Sequence, residues 1–182
     1  VGLCHLFLKE RVRPGDRVVD ATCGNGHDTL LLARLAGPTG KVWGFDIQEA
    51  ALTATRKLLA DEGCLDRVEL CMAGHERLGE FATPPLNAVV FNLGYLPGGD
   101  KSRITRPETT LAALEASLGM LADKGLLLVV VYPGHPGGDN ESDALQAWGA
   151  GLPPEQFNVW CSRQQNRLQT SPYLILVERG NR

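Results

Sequence analysis

Paired cysteines, long apolar runs and a surplus of positive charge are all missing from this chain, and each absence narrows the reading. The five cysteines (Cys4, Cys23, Cys64, Cys71 and Cys161) are odd in number and contain no C-x-x-C spacing. That argues against a disulfide framework or a zinc site, so no metal is expected, and a reducing cytoplasm is the natural setting. No stretch approaches the ~18 apolar residues of a membrane helix. The longest, Gly125 to Tyr132, has eight residues, the length of a buried strand. No secretory hydrophobic region opens the chain. It starts at Val1 and not at methionine, so a short preceding piece is expected. A net charge of −3 disfavours the coating of nucleic acid by bulk charge and leaves room for a local basic patch.

Glycine is present in excess, 21 of 182 residues, against a usual share of ~7%. No G-X-Y period accompanies it, so the excess points to tight turns and to backbone that approaches a ligand. The length fits one domain over residues 1–182.

Helical and strand patterns alternate. Gly2 to Arg11 offers a helical face through Leu3, Leu6 and Phe7, and Pro14-Gly15-Asp16 is a turn. Strands are expected at Arg17 to Ala21, Val42 to Phe45, Val68 to Met72, Ala88 to Asn92 and Gly125 to Tyr132. Helices are expected at Asp28 to Leu35, Gln48 to Glu62, Glu108 to Leu121 and Glu141 to Trp148. Phe157 to Cys161 and Tyr173 to Glu178 are strands with no helix between them, so an antiparallel return must join them. The fold expected is α/β: a doubly wound, Rossmann-like sheet, mostly parallel, with an antiparallel terminal strand.

The segment Asp20-Ala21-Thr22-Cys23-Gly24-Asn25-Gly26-His27-Asp28-Thr29 joins the first strand to the first helix of that sheet. A dinucleotide fingerprint requires G-x-G-x-x-G, but Thr29 occupies the third glycine position, which disfavours a nicotinamide dehydrogenase. A G-x-x-x-x-G-K-[ST] phosphate loop is absent. Three polar residues fall at the carboxyl ends of strands, where ligands of doubly wound sheets bind: Asp20, Asp46 and Asn92. Asp46 lies 20 residues beyond Gly26, where an acid can accept hydrogen bonds from both hydroxyls of a ribose. An acid-rich, glycine-lined rim without a phosphate cradle suits S-adenosylmethionine, a nucleoside with an amino-acid tail and a positive sulfonium.

These features resemble the class I S-adenosylmethionine-dependent methyltransferases, with D-x-x-x-G-x-G after strand one, an acid after strand two and a polar motif after strand four. The resemblance implies cofactor contacts from Asp20, Gly24, Asn25, Gly26, His27, Thr29, Asp46 and Gln48. Asn92-Leu93-Gly94-Tyr95 is similar to the N-P-P-Y element of amine methyltransferases, which makes Asn92 and Tyr95 the candidate catalytic residues. Acceptors on Asn92 can hold amine N–H groups and aim the nitrogen lone pair, while Tyr95 can stack on a base or box in the amine.

Four strings together are similar to one small bacterial family long labelled rRNA methylases. They are the glycine loop, Gly74-His75-Glu76, Asn92 to Lys101, and Tyr132-Pro133-Gly134-His135-Pro136-Gly137-Gly138. That family is linked to methylation of the 5-aminomethyl group on the tRNA wobble uridine, giving 5-methylaminomethyl-(2-thio)uridine. The implied partner is a tRNA anticodon stem-loop, and a homodimer is allowed. Many class I enzymes carry an acid after strand three to hold the adenine; here the position offers none until Glu76, and His75 with its backbone is expected instead. Asp100, Lys101, Arg103, Arg106, His135, Arg163 and Arg167 are the candidate substrate contacts, the cations for RNA phosphates. The rival readings are an rRNA or small-molecule N-methyltransferase and a cofactor-binding module without catalysis. Cys23 touches the loop but has no evident base beside it, so it is not a candidate nucleophile.

Overall fold

Alternation with period two decides how the central strands are buried. The structure is a computed structural model, which describes residues 2–94, 107–134 and 138–180. Seven strands form one sheet: β1 (Arg17–Asp20), β2 (Lys41–Asp46), β3 (Val68–Met72), β4 (Leu86–Asn92), β5 (Leu121–Val131), β6 (Phe157–Ser162) and β7 (Tyr173–Arg179). Their order is β3-β2-β1-β4-β5-β7-β6. The first five are parallel, and β7 runs antiparallel to both β5 and β6. The order reverses between β1 and β4, and this switch point opens a crevice at the carboxyl edge of the sheet.

Val19, Phe45, Val89, Phe91, Leu127 and Val129 face one side and pack with Leu114, Leu118 and Leu145 of α5 (Pro107–Met120) and α6 (Gly138–Ala150). Val18, Val42, Ala88, Val90, Leu126 and Leu128 face the other. There they meet Leu8 of α1 (Gly2–Arg11), Leu32 of α2 (His27–Ala36) and Leu59 of α3 (Glu49–Asp61). Apolar side chains on both faces of β4 and β5 are what a parallel strand covered by helices on two sides requires.

Two expectations are corrected. α1 buries Cys4 and Leu8 rather than Leu3, Leu6 and Phe7; Leu3 is 41% and Leu6 63% exposed, with Phe7 partly buried. Leu3, Cys4, Leu6, Phe7 and Leu8 spread around most of the helix, so the pattern does not single out one face. β5 begins at Leu121, where it pairs with Leu86 before a register shift, and Gly125 lies inside it. A Cβ at Gly125 would sit 2.8 Å from the carbonyl oxygens of Ala122 and Leu86, so the irregular pairing depends on glycine there. A short 3-10 turn at His75–Arg77 and the four-residue helix α4 (Leu78–Phe81) follow β3 without any periodic signal in the sequence.

Candidate functional site

The crevice is lined first by the glycine loop. Gly24 and Gly26 have φ of 52° and 83°, a left-handed backbone that glycine adopts freely. A Cβ on Gly26 would lie 2.9 Å from the Cα of Thr55, so the loop rests directly on α3. Gly44 plays the matching part in β2, since a Cβ there would meet the Cys23 sulfur at 2.6 Å. Cys23 is buried, and burial followed by Asp20 pushes its thiol well above 9.0, which leaves it neutral and packed rather than nucleophilic.

Two acids brace the loop. Asp46, half-buried at the end of β2, accepts hydrogen bonds from the Gly24 N–H at 3.0 Å and the Gln48 N–H at 2.9 Å. Each of its oxygens thus takes one backbone donor and retains a further lone pair. Asp20 is fully buried and accepts from the Thr29 hydroxyl at 2.5 Å and the Thr22 N–H at 3.1 Å. Burial and then the charge of Asp28 raise its carboxyl to about 7, against the lowering effect of those two hydrogen bonds.

Asn92 stands across the crevice at the end of β4. Its backbone N–H donates to the Thr22 hydroxyl at 2.7 Å, which ties the strand end to the glycine loop. Its side-chain amide donates to Asp28 at 3.2 Å, and Asp28 also pairs with His5 of α1 at 2.6 Å. The sequence reading passed over Thr22, Asp28 and His5. In the sequence Asp28 is only the first residue of the helix expected at Asp28 to Leu35, and nothing in the spacing announces that α1 folds back to it.

His75 is 8% exposed, and its ring lies edge-on to Phe91 with centroids 5.5 Å apart. It hydrogen-bonds the Ala21 backbone, and burial lowers its pKa, so the ring is neutral. Nε2 is buried with no partner among the described residues. Ile47 and Met72, 53% and 67% exposed, follow Asp46 and end β3, and they present apolar surface on the same rim. Asn25 and His27 are exposed, Thr29 is buried against Asp20, and Gln48 caps the start of α3.

Among the candidate RNA contacts, Arg163 lies 3.7 Å over the ring of Tyr173, whose hydroxyl pairs with Ser142 at 3.0 Å. Arg167 is exposed on the same loop. β6 runs parallel to β5, so this loop leaves the sheet at the edge that carries the crevice. Tyr95, Asp100, Lys101, Arg103, Arg106 and His135 lie outside the described residues.

The residues present fit a nucleoside carrying a cationic tail: bare glycine backbone for close approach, free acceptor capacity on Asp46, and an unpartnered buried acceptor on His75. No group of three or more metal-binding side chains occurs among the described residues. Sheet order, switch-point crevice and acid-braced glycine loop together define a class I methyltransferase, the class whose methyl donor is S-adenosylmethionine. Residues 42–178 match the sequence profile of the family described as "Putative rRNA methylase", and the chain belongs to that family.

A chloroplastic tRNA (mnm(5)s(2)U34)-methyltransferase of Arabidopsis thaliana is 39% identical over 96% of this chain and 67% of its own length. A crystal structure of a "putative rRNA-methylase" from Clostridium thermocellum superposes with a TM-score of 0.95 at 42% identity, covering 98% of this chain and 96% of that one. A "putative methyltransferase" from Streptococcus mutans, solved in complex with SAH, has a TM-score of 0.89 at 37% identity over 98% of this chain and 96% of its own.

Proposed function

We propose that the protein methylates the primary amine of a 5-aminomethyl group on the wobble uridine of tRNA. The observation that carries the reading is Asn92, fixed at the mouth of the crevice by Thr22 and Asp28, opposite the glycine loop. The activity named for the Arabidopsis relative supports the choice of substrate. Bound S-adenosylmethionine supplies a methyl group on a positively charged sulfur. Asp46 holds the ribose hydroxyls with its remaining lone pairs, and Ile47 and Met72 cover the base. His75 offers Nε2, unprotonated because the other ring nitrogen bonds the Ala21 backbone, to the exocyclic amine of the adenine. Asp20, Gly24, Asn25, Gly26, His27, Thr29 and Gln48 complete the cofactor side. Asn92 accepts the N–H groups of the substrate amine and turns its lone pair toward the methyl, with Tyr95 stacked on the uracil. Asp100, Lys101, Arg103, Arg106, His135, Arg163 and Arg167 belong to the RNA side.

The test is mass spectrometry of nucleosides from tRNA bearing the aminomethyl group, after incubation with the protein and cofactor. The expected product gains one methyl group on the wobble uridine. Methylation of rRNA fragments with none on tRNA would favour the rRNA reading instead.

Two narrower readings accompany this one. Five free cysteines, four of them buried, support a reducing cytoplasmic compartment. Among the described residues no helix is long and apolar enough to cross a membrane. A homodimer is supported by an apolar groove of about 500 Å³ between α1 and the β6–β7 hairpin, lined by Leu3, Phe7, Leu126, Trp160, Leu174 and Leu176. Trp160 is 49% exposed there. Sedimentation should show a dimer that Trp160→Glu converts to monomer, and a monomeric wild-type protein would reject it.

A further inference from the structure

His5, Asp28 and Asn92 form a chain of side-chain hydrogen bonds that links α1, the first turn of α2 and the end of β4. His5 Nε2 lies 2.6 Å from one oxygen of Asp28, and the Asn92 amide nitrogen lies 3.2 Å from the other. Asp28 is 7% exposed, so these two partners replace most of the water its carboxylate would otherwise bind. A carboxylate only accepts. His5 must therefore carry its proton on Nε2, and Asn92 must present its NH2 to Asp28. With the nitrogen held on that side, the amide oxygen faces the opposite way.

We propose that His5 and Asp28 are positioning residues that lock the Asn92 amide with its oxygen, and not its nitrogen, toward the acceptor amine. The proposal rests on the amine chemistry argued above. The orientation matters because an amine attacks through its lone pair. An amide oxygen accepts the amine's N–H and leaves that pair free. A flipped amide would offer N–H donors, which would hydrogen-bond the lone pair and withdraw it from the methyl group. The Thr22 hydroxyl fixes the Asn92 backbone at 2.7 Å but cannot choose between the two ends of the amide. The neighbour that makes the choice is Asp28, itself held by His5.

Asp28 also complements the α2 dipole, so loss of stability alone would not bear on this role. An exchange of partners does. In N92D two carboxylates face each other at hydrogen-bond distance, and in D28N one acceptor oxygen must serve two donors. In the double variant D28N/N92D the new amide accepts from His5 on its oxygen and donates its NH2 to the new carboxylate. The chain of hydrogen bonds is then restored, with an oxygen toward the amine.

Single-turnover rates on aminomethyl tRNA should fall by about 10- to 100-fold in N92D, since misplaced reacting groups cost that much. The double variant should recover most of the loss, with calorimetric affinity for S-adenosylmethionine and KM for tRNA unchanged throughout. A second readout needs no turnover. In the ¹⁵N-labelled protein the side-chain amide signals of Asn92, identified by their loss in N92D, should shift in D28N and in His5→Phe. A double variant no faster than N92D, or Asn92 amide signals indifferent to D28N, overturns the proposal. A wild-type protein that binds cofactor yet leaves aminomethyl tRNA unmethylated rejects the substrate reading, and the amide signals then still decide the positioning role.

Discussion

At the scale of single residues, the two acids of the glycine loop behave oppositely. Asp46 keeps lone pairs for a ligand while its oxygens hold the Gly24 and Gln48 N–H groups. Asp46→Ala should weaken S-adenosylmethionine by about 1.5–3 kcal/mol, the value of hydrogen bonds to a charged group, and calorimetry with unchanged affinity would reject the ribose assignment. Asp20 is buried and its carboxyl is raised to about 7 from 3.8, by burial first and Asp28 second. The folded protein therefore holds a proton that the unfolded chain gives up near 3.8. That preference favours the fold fully below this pH, and the benefit is lost as pH climbs through about 7. Asp20→Asn removes the titration. The melting temperature of the wild type relative to the variant should fall between about pH 4 and 7 and level off above, and a difference constant with pH would show that Asp20 does not titrate in this range.

At the scale of elements, the loop depends on how closely α3 approaches it. Gly26→Ala brings a Cβ against the Thr55 backbone at 2.9 Å in a left-handed conformation, so both space and φ oppose it. It should cost about 1–3 kcal/mol of stability, as strained backbone does, and lower cofactor affinity as well. Thr55→Ala cannot rescue it, because the clash includes the Thr55 main chain. Full rescue would mean that only the Thr55 side chain stands in the way. The strands of this fold were readable because most are short apolar runs, unbroken where helices cover both faces of the sheet, bounded by Gly, Pro, Asn or an acid. Val68 to Met72 was read at its observed bounds, and the antiparallel β6–β7 return followed from the absence of a helix between those strands. α1 was readable as a helix but not in its orientation, since its apolar residues surround the axis. The acids and glycines of the crevice were legible because chain order places them at strand ends. His5, Thr22 and Asp28 were not, because the bonds of Thr22 and Asp28 to Asn92, and of His5 to Asp28, are tertiary contacts 23 to 70 residues apart in sequence, which no local spacing encodes. Likewise, the orphaned His75 nitrogen needs three-dimensional burial to be noticed.

At the scale of the whole molecule, charge and placement pull in different directions. A net charge of −3 repels a polyanion at long range. If tRNA is the substrate, as proposed, affinity must then come from a few cations held locally, and screening makes that term fall with salt. Of the described candidates, Arg163 is the better placed. Its guanidinium lies 3.7 Å over Tyr173, and the Tyr173 hydroxyl is in turn held by Ser142, so less side-chain freedom is lost on meeting a phosphate. Arg167 is exposed and would lose more. Three strand spacings separate β4 from β6, about 14 Å at the usual spacing, so a loop anchored at β6 can grip the backbone several nucleotides away from a base offered to Asn92. Arg163→Gln should weaken tRNA binding and reduce the magnitude of the log–log salt slope by about 0.7–0.9, the share of one released counterion. Arg167→Gln should do less. The effect should be the same on tRNA with and without the aminomethyl group, because a phosphate contact carries no information about the base. A salt slope unchanged in Arg163→Gln would mean that the guanidinium only covers Tyr173. Phosphate recognition would then fall to Lys101, Arg103 and Arg106, which precede α5 in the chain.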